Sequence, residues 1–179
     1  MNQFKLQGIN HLALVCRDMA RTVDFYTNIL GLKLIKTIAL AGGGQHFFFD
    51  GGNGDALAFF WFPNAPAPAP GIASVDPERL KKGDIVTAHG SMNHVAFNIS
   101  LEHLQDDHQK FSELAIPTPP ILHHADVPSG WVEQRNETTF ISSFDFFDPD
   151  VILLEFAAKT RELGDPKRDM QHEPATATN

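Results

Sequence analysis

The sequence predicts an α+β fold built from two tandem βαβββ modules, and a repeated motif together with a repeated order of elements supports this prediction. Residues 9–14, INHLAL, recur as MNHVAF at residues 92–97. Each copy is a short apolar run, followed by a segment with apolar residues at three-to-four spacing and then by three strand-like stretches. Two copies indicate a duplicated module rather than a solenoid.

The first module follows the βαβββ order from its repeated motif onward. A helix is predicted over residues 19–30, where Asp18 is a suitable N-cap and Gly31 is the residue type that most often follows a helix end. Glycine-rich turns such as residues 51–54 separate the strands that come next. These strands are predicted at residues 32–41, 45–50 and 56–62.

The second module repeats that order. Its helix is predicted over residues 101–115, with Ser100 as the cap and Pro117 as the stop. The turn Asp148-Pro149-Asp150 separates the last two strands. The three strands are predicted at residues 120–127, 138–147 and 151–158.

These elements set the domain organisation. The first module takes residues 1–62 and the second takes residues 91–158. Residues 63–90 carry repeated prolines, which cannot continue a strand ladder, so an extended linker is predicted there. Residues 159–179 are polar and end in Ala-Thr repeats, which predicts a loosely held tail.

Charge and cysteine content exclude several classes of function. The net charge of −8, without a cluster of Lys and Arg, argues against binding to nucleic acid. Cys16 is the only cysteine, so neither an intrachain disulfide nor a cysteine zinc site is available. The first residues lack the pattern of a signal peptide, and no apolar run approaches the length of a membrane span. A cytoplasmic protein without membrane contacts is expected.

Three residues on separate predicted strands are candidate metal ligands. Because side chains alternate along a strand, His11 and His94 occupy equivalent places in the two modules. Glu155 lies in an apolar run, where a carboxylate is costly to bury unless it is paired, protonated or bound to a metal. Two His and one carboxylate leave open positions on a metal. The alternative for any single His, a structural role in the core or at an edge, is weakened by the repeated Asn-His context.

Over residues 7–158 the sequence resembles the vicinal oxygen chelate superfamily, which includes glyoxalase I, fosfomycin-resistance proteins and extradiol ring-cleaving dioxygenases. The resemblance rests on the His-bearing first strand, on DFYTNILGL at residues 24–32 and on FDPDVILLEF at residues 147–156. It implies that the paired modules form a cupped, eight-stranded mixed sheet with helices outside and a divalent metal within. It also implies that His11, His94 and Glu155 are the ligands.

The resemblance also bears on the metal and the substrate. Glyoxalase I-like members have a fourth ligand, a Glu, where this chain has Phe59, or Ala58 if the register slips, and neither side chain binds metal. Three ligands resemble the extradiol dioxygenases, which implies Fe2+, with Mn2+, Ni2+, Co2+ or Zn2+ as alternatives. The expected partner is a small aromatic or apolar molecule with two adjacent oxygens, and phenylalanine-rich strands would line its pocket. A homodimer is possible.

The acid–base residues are less well defined, because the chain departs from the extradiol signature. Asp145 stands where a Tyr is expected, Asp55 where a second His is expected and Val151 where a Gly is expected. Other ionisable side chains could serve instead, and each competes with a structural role. Asp55, Asp145, His46 and His124 are therefore the catalytic candidates, with His89 and His123 also considered. On a strand, His123 and His124 would face opposite ways.

Three functions compete at this point. The first is an Fe(II)-dependent, extradiol-type ring-cleaving dioxygenase. The second is a lyase or isomerase of the glyoxalase I type, in which Glu155 is both ligand and base. The third is a metal-free protein that binds a small molecule, as bleomycin-resistance proteins do.

Overall fold

The computed structural model describes residues 9–169, which form two β-sheets with a few helices and confirm the predicted α+β class. This part of the chain divides into two compact units. The first unit comprises residues 9–95 together with Phe147–Leu154, and the second comprises Ala96–Phe146 together with residues 155–169.

The first sheet contains four strands, in agreement with the first predicted module. Its spatial order is β1-β4-β3-β2, with β1 and β4 parallel and the other pairs antiparallel. The strands are β1 (His11–Val15), β2 (Leu34–Ala39), β3 (Gln45–Gly52) and β4 (Asp55–Trp61).

The first helix begins as predicted and then widens. Helix α1 (Met19–Asp24) is capped by Asp18, whose carboxylate accepts a hydrogen bond from the Arg21 backbone N–H at 3.1 Å. It continues as a π-helical turn over Phe25–Ile29, and Gly31 ends it with a φ of 74°. A left-handed residue at this place suits glycine, which has no Cβ.

The second sheet repeats the order of the first and adds a strand. Its order is β5-β9-β8-β6-β7, in which the first four positions correspond to β1-β4-β3-β2. The additional strand, β7, has two residues, which is too short to give an alternating pattern in the sequence. The described chain thus has nine strands against the eight predicted. Those of the second sheet are β5 (Val95–Asn98), β6 (Leu122–Ala125), β7 (Trp131–Val132), β8 (Thr139–Phe147) and β9 (Leu153–Lys159).

Two features around the second module differ from prediction. Its long helix, which spans Leu104–Glu113, has His103 at the N-cap, so the prediction of Ser100 as the cap was wrong. Ser100 contributes its carbonyl to a preceding turn, where it accepts the His103 N–H at 3.1 Å. The predicted extended linker contains a short helix over Pro77–Leu80, capped by Asp76. In chain order these helices are α2 (Pro77–Leu80) and α3 (Leu104–Glu113).

Residues 159–169 make defined contacts although a loose tail was predicted there. A fourth helix, α4, spans Pro166–Asp169. Arg161 contacts Asp126 at 2.9 Å and Asp169 at 2.6 Å. Residues 1–8 and 170–179, which belong to the predicted first module and tail, lie outside the described residues. Over residues 9–169, no helix has the length and apolar character needed to cross a membrane.

Candidate metal centre

The two faces of the first sheet have different chemistry. Tyr26, from the π-helical turn, packs against Phe49 and Phe59 with ring centroids 5.5 and 4.8 Å away, so these rings form the covered face. Side-chain alternation puts His11 and His46 on the other face. The sheet therefore separates an aromatic core from a face that carries imidazoles, which we call the His11 face.

His11 is held by the residue before it. Its Nδ1 lies 2.8 Å from the side-chain oxygen of Asn10. Because that oxygen only accepts hydrogen bonds, the imidazole Nδ1 carries the proton and Nε2 keeps its lone pair. A histidine fixed in this tautomer by a neighbouring acceptor is suited to bind a metal through Nε2.

His94 repeats the arrangement, one residue before β5. Its Nδ1 lies 2.9 Å from the Asn93 side-chain oxygen. The amide nitrogen of Asn93 donates to the carbonyl of Ile85 at 2.6 Å, which fixes the orientation of the amide and directs its oxygen to His94. We refer to Asn10-His11 and Asn93-His94 as the two Asn-His pairs. The sequence showed these asparagines only as part of a repeat, and their hydrogen bonds give them a positioning role.

The last strand of the first module offers no ligand on the His11 face. Phe59 is fully buried against Tyr26 on the covered face. Ala58, which pairs with Ala13 of β1, therefore occupies the position on the His11 face. Of the two residues that the sequence left open, Ala58 is the one that shares a face with His11.

His46 lies on the His11 face among aromatic rings. Its imidazole stacks on Phe60, with centroids 3.6 Å apart and planes 10° apart, and it lies 4.3 Å from Phe48. Burial lowers the pKa of His46, and repulsion from His11, whenever that ring is protonated, lowers it further. Its Nε2 is buried and has no hydrogen-bond partner among residues 9–169. A buried polar atom of this kind calls for an explanation, and a ligand that supplies the missing partner is one.

In the second unit, Glu155 lies on the face of the sheet that α3 does not cover. Phe111 of α3 packs on Phe144 and Phe156 at 5.4 and 5.5 Å, so alternation turns Glu155 to the opposite face. The Glu155 side chain is 12% exposed, and its Oε1 lies 3.9 Å from Nε2 of His124. Nearly nine-tenths of the Glu155 side chain is thus withdrawn from water, next to an imidazole.

The neighbouring histidines of β6 do face opposite ways, as the sequence predicted. His124 Nε2 lies 3.1 Å from the Ser143 hydroxyl, on the Glu155 face. His123 Nδ1 lies 2.8 Å from the Ser142 hydroxyl, on the face covered by α3. Asp145, two residues beyond Ser143 on β8, shares the Glu155 face. His124 and Asp145 are therefore the two predicted catalytic residues that the structure groups with Glu155.

Asp55 and His89 are separate from these groups. Asp55 is exposed at the first position of β4, and alternation places it on the covered face with Leu57 and Phe59. His89 is exposed in the loop before Asn93. Within the first unit, the pairing of the strands does not bring Asp55 or His89 beside His11.

The predicted ligand set draws on both units. His11 and His94 belong to the first unit, and Glu155 belongs to the second. Within either unit taken by itself, over the described residues, no group of three or more His, Cys, Asp or Glu side chains is positioned to hold a metal ion.

Comparison with known proteins gives one family and several structures of similar fold. Residues 8–156 match a sequence model described as Glyoxalase/Bleomycin resistance protein/Dioxygenase superfamily. A stretch of 63 residues is 38% identical to "Putative ring-cleaving dioxygenase MhqE" of Bacillus subtilis (strain 168), covering 32% of this chain and 21% of that protein. The chain thus matches about a fifth of the length of this curated relative.

Two solved structures illustrate the fold. The protein SMU.1112c superposes with a TM-score of 0.61 at 21% identity, over 86% of this chain and 99% of that chain. The fosfomycin resistance protein FosX from Listeria monocytogenes, complexed with Mn(II) and sulfate, gives a TM-score of 0.54 at 18% identity, over 87% and 95% of the two chains. At these identities the likeness establishes the fold alone.

Proposed function

Because the chain belongs to the Glyoxalase/Bleomycin resistance protein/Dioxygenase superfamily, we propose that it is a metal-dependent enzyme acting on a small molecule with two adjacent oxygens. The reaction we propose is Fe(II)-dependent, extradiol-type ring cleavage of an aromatic diol. The proposed metal ligands are His11, His94 and Glu155.

The observation that carries this proposal is the pair of Asn-His hydrogen bonds. In both modules an asparagine oxygen accepts the His Nδ1 proton, at 2.8 Å for His11 and 2.9 Å for His94. Histidines that bind metals commonly donate their second ring N–H to such an acceptor, which orients the ring and raises its basicity. If the two histidines had only structural roles, nothing would require the same asparagine partner in both modules.

The donor set fits a divalent transition metal. Two neutral imidazoles and one carboxylate suit iron(II) and leave open coordination positions, and they also accept Mn2+, Ni2+, Co2+ or Zn2+. A divalent ion held there supplies Lewis acidity and a template for two adjacent oxygens. The relatives support this choice, since one carries a ring-cleaving dioxygenase name and another was crystallised with Mn(II).

Side chains of the protein would accept the proton that the substrate hydroxyl releases. His46 is the proposed general base: its lowered pKa keeps it neutral at pH 7, and its buried Nε2, which lacks a partner among residues 9–169, would accept a hydrogen bond from a substrate hydroxyl after a small rotation of the ring. Phe48 and Phe60, which contact His46, provide an apolar surface for an aromatic ring. His124 would hold Glu155 in place from 3.9 Å.

The proposal is tested with protein purified under argon and loaded with Fe2+. We expect about one metal ion per chain and oxygen uptake with at least one member of a catechol panel. The variants His11→Ala, His94→Ala and Glu155→Ala should lose the metal. If all three keep full metal content, the proposed site is wrong.

A separate variant tests the base. His46→Gln should keep its metal and lose about 100-fold in kcat, since general-base catalysis contributes about that much. His103→Gln, at the exposed N-cap of α3, is the matched control and should behave as the unmodified protein. Equal activity in both variants would remove His46 from the mechanism.

A lyase or isomerase of the glyoxalase I type is the second candidate. It is favoured by the two carboxylates, Asp145 and Glu155, on one face of the second sheet, because a carboxylate can move a proton beside a polarised carbonyl. Activity that persists under argon with Ni2+, Co2+ or Zn2+ would support it over oxygenation. Protein that stays metal-free after reconstitution would instead favour the third function, metal-free ligand binding.

A further inference from the structure

The first unit contains a cavity of about 860 Å³ that the proposed chemistry does not use. It opens where β1 and β4 end, and the proline-rich stretch that follows β4 forms one wall. We call it the β1–β4 cavity. Its size is within the range of small-molecule sites, which is about 300–1,000 Å³. Its lining includes Val15, Cys16, Arg17, Trp61, Phe62 and Asp150.

A row of rings connects this cavity with the His11 face. Phe48 lies 5.5 Å from His11 and 4.3 Å from His46, and His46 stacks on Phe60. Phe60 in turn stacks on Phe62, with centroids 5.5 Å apart and planes 9° apart. Because Phe62 lines the cavity, the row forms a continuous aromatic track from the proposed metal ligand to the cavity.

Strand β1 also runs from the proposed metal ligand to the β1–β4 cavity. Val15 is on the same face of β1 as His11, is 51% exposed and lines the cavity. Four residues of a strand separate the two side chains, which corresponds to about 13 Å. A ligand that reaches from His11 to the cavity must therefore be elongated.

The indole N–H and the two charged side chains of the cavity wall are already paired. The Trp61 indole N–H donates to the Arg17 carbonyl at 2.9 Å, and the Arg17 backbone N–H donates to Asp150 at 2.8 Å. The Arg17 guanidinium and the Asp150 carboxylate are 3.9 Å apart, so their charges offset each other. Burial raises the pKa of the Cys16 thiol, which stays uncharged. Nothing in this wall calls for a charged ligand.

We propose that the β1–β4 cavity binds the apolar end of an elongated substrate whose two adjacent oxygens lie at the other end, beside His11. The substrate class is then a vicinal diol that bears an alkyl chain or a second ring about 10–13 Å from its oxygens. This inference rests on the proposed function for the position of the oxygens. The cavity itself is defined within the first unit alone.

The test uses 4-alkylcatechols with tails from one to eight carbons, bound under argon to Fe2+-loaded and to metal-free protein. Calorimetry gives the dissociation constants. The chain has two tryptophans, so the Trp131→Phe background leaves Trp61 as a reporter inside the cavity. We expect affinity to rise about fourfold for each methylene that enters the cavity, as for burial of one CH2 group. The Trp61 emission should shift to the blue as the tail excludes water.

A matched pair of variants locates the effect. Val15→Asp places a charge in the cavity and should abolish the dependence on tail length. Ile35→Asp is the control, because Ile35 is 50% exposed in β2 of the same unit and does not line the cavity. It should keep the dependence. If Val15→Asp fails to fold, as judged by circular dichroism, Phe62→Ala replaces it and should reduce the gain per methylene.

The outcomes separate this inference from the proposed function. Metal-dependent binding of all catechols with no gain from the tail, or a gain that Val15→Asp leaves intact, overturns the cavity assignment alone. A gain with tail length that Val15→Asp removes supports the assignment. A further outcome is that the protein binds no metal when Fe2+ is supplied, yet still shows the gain with tail length. The proposed function then fails while the cavity assignment stands.

Discussion

The two modules share a backbone plan and differ in the side chains that it presents. The four corresponding strands have the same order in both sheets, and both modules begin with an Asn-His pair. On the last strand, the first module presents Ala58 where the second presents Glu155. Duplication therefore accounts for two equivalent imidazoles, whereas a single carboxylate makes the proposed ligand set asymmetric. The chemistry of such a protein depends on a few positions that the shared fold leaves free.

Their cores differ as well. In the second module, the helix contributes Phe111 to an all-phenylalanine cluster with Phe144 and Phe156. In the first, the corresponding ring is Tyr26, whose buried hydroxyl donates to the carboxylate of Asp148 at 3.2 Å. Burial raises the pKa of Asp148 to about 6. The core of the first module thus contains a buried carboxyl group that titrates near pH 6, for which the phenylalanine cluster of the second module has no equivalent.

The largest expected effect concerns the asymmetry of the ligands. Glu155→Gln should lower metal affinity by about 100-fold or more, because loss of an outer partner alone costs about 10–100-fold and this change removes a charged ligand. Metal titration followed by calorimetry measures it. Glu133→Gln, an exposed residue outside β9, is the control. Equal affinities in the two variants would mean that the second module is not distinguished by Glu155.

The next effect concerns the titratable core. Because folding raises the pKa of Asp148 from 3.8 to about 6, the folded state holds this proton more tightly than the unfolded chain does. The resulting stabilisation is present below about pH 4 and is lost as the pH rises through 6. Asp148→Asn keeps a group that can bond Tyr26 and the backbone but does not ionise. The unfolding free energy of Asp148→Asn minus that of the unmodified protein should therefore increase by about 2 kcal/mol as the pH rises from 4 to 7.

Denaturant unfolding across this pH range checks the prediction. Asp55→Asn, at an exposed carboxylate of the same unit, serves as the control and should follow the unmodified protein. A difference between Asp148→Asn and the unmodified protein that does not change with pH would show that Asp148 ionises normally.

The two Asn-His pairs should differ in how much each asparagine contributes to metal affinity. Asn93 is anchored by its bond to the Ile85 carbonyl, whereas Asn10 is exposed and water can replace its oxygen beside His11. Asn93→Ala should weaken metal binding about 30-fold and Asn10→Ala only about threefold, within or below the usual range for such partners. Asn98→Ala, in β5, is the control. Equal losses at both asparagines would show that the anchor does not matter.

The smallest effect concerns the turn between β8 and β9. Val151 has a φ of 65°, a left-handed conformation that a β-branched residue adopts only under strain. Val151→Gly should raise the unfolding free energy by about 1 kcal/mol, despite the greater freedom of glycine in the unfolded chain. Val132→Gly in β7 should lower it. Loss of stability in both variants would mean that packing of Val151 outweighs its backbone strain.

This strained residue also shows how the sequence and the structure complement each other. The family resemblance led us to expect a glycine after Asp150, but this chain has Val151 there, and the sequence alone gives no reason why a glycine is expected. The backbone angle supplies the reason, since the turn requires a left-handed residue. The short helix α2 was missed for a related reason: the number of prolines predicted an extended linker, although Asp76-Pro77 is also a helix start.

The sequence by itself determined the α+β class, the duplicated module, most strands and the choice of His11, His94 and Glu155 as candidates. These depend on local periodicity and on repeated motifs, which are readable along the chain. Tertiary structure decided that Ala58 rather than Phe59 shares the His11 face, that His124 rather than His123 lies beside Glu155, and that Asn93 turns its oxygen to His94. Strand register and hydrogen bonds between distant residues set these facts, and neither is encoded in any local pattern.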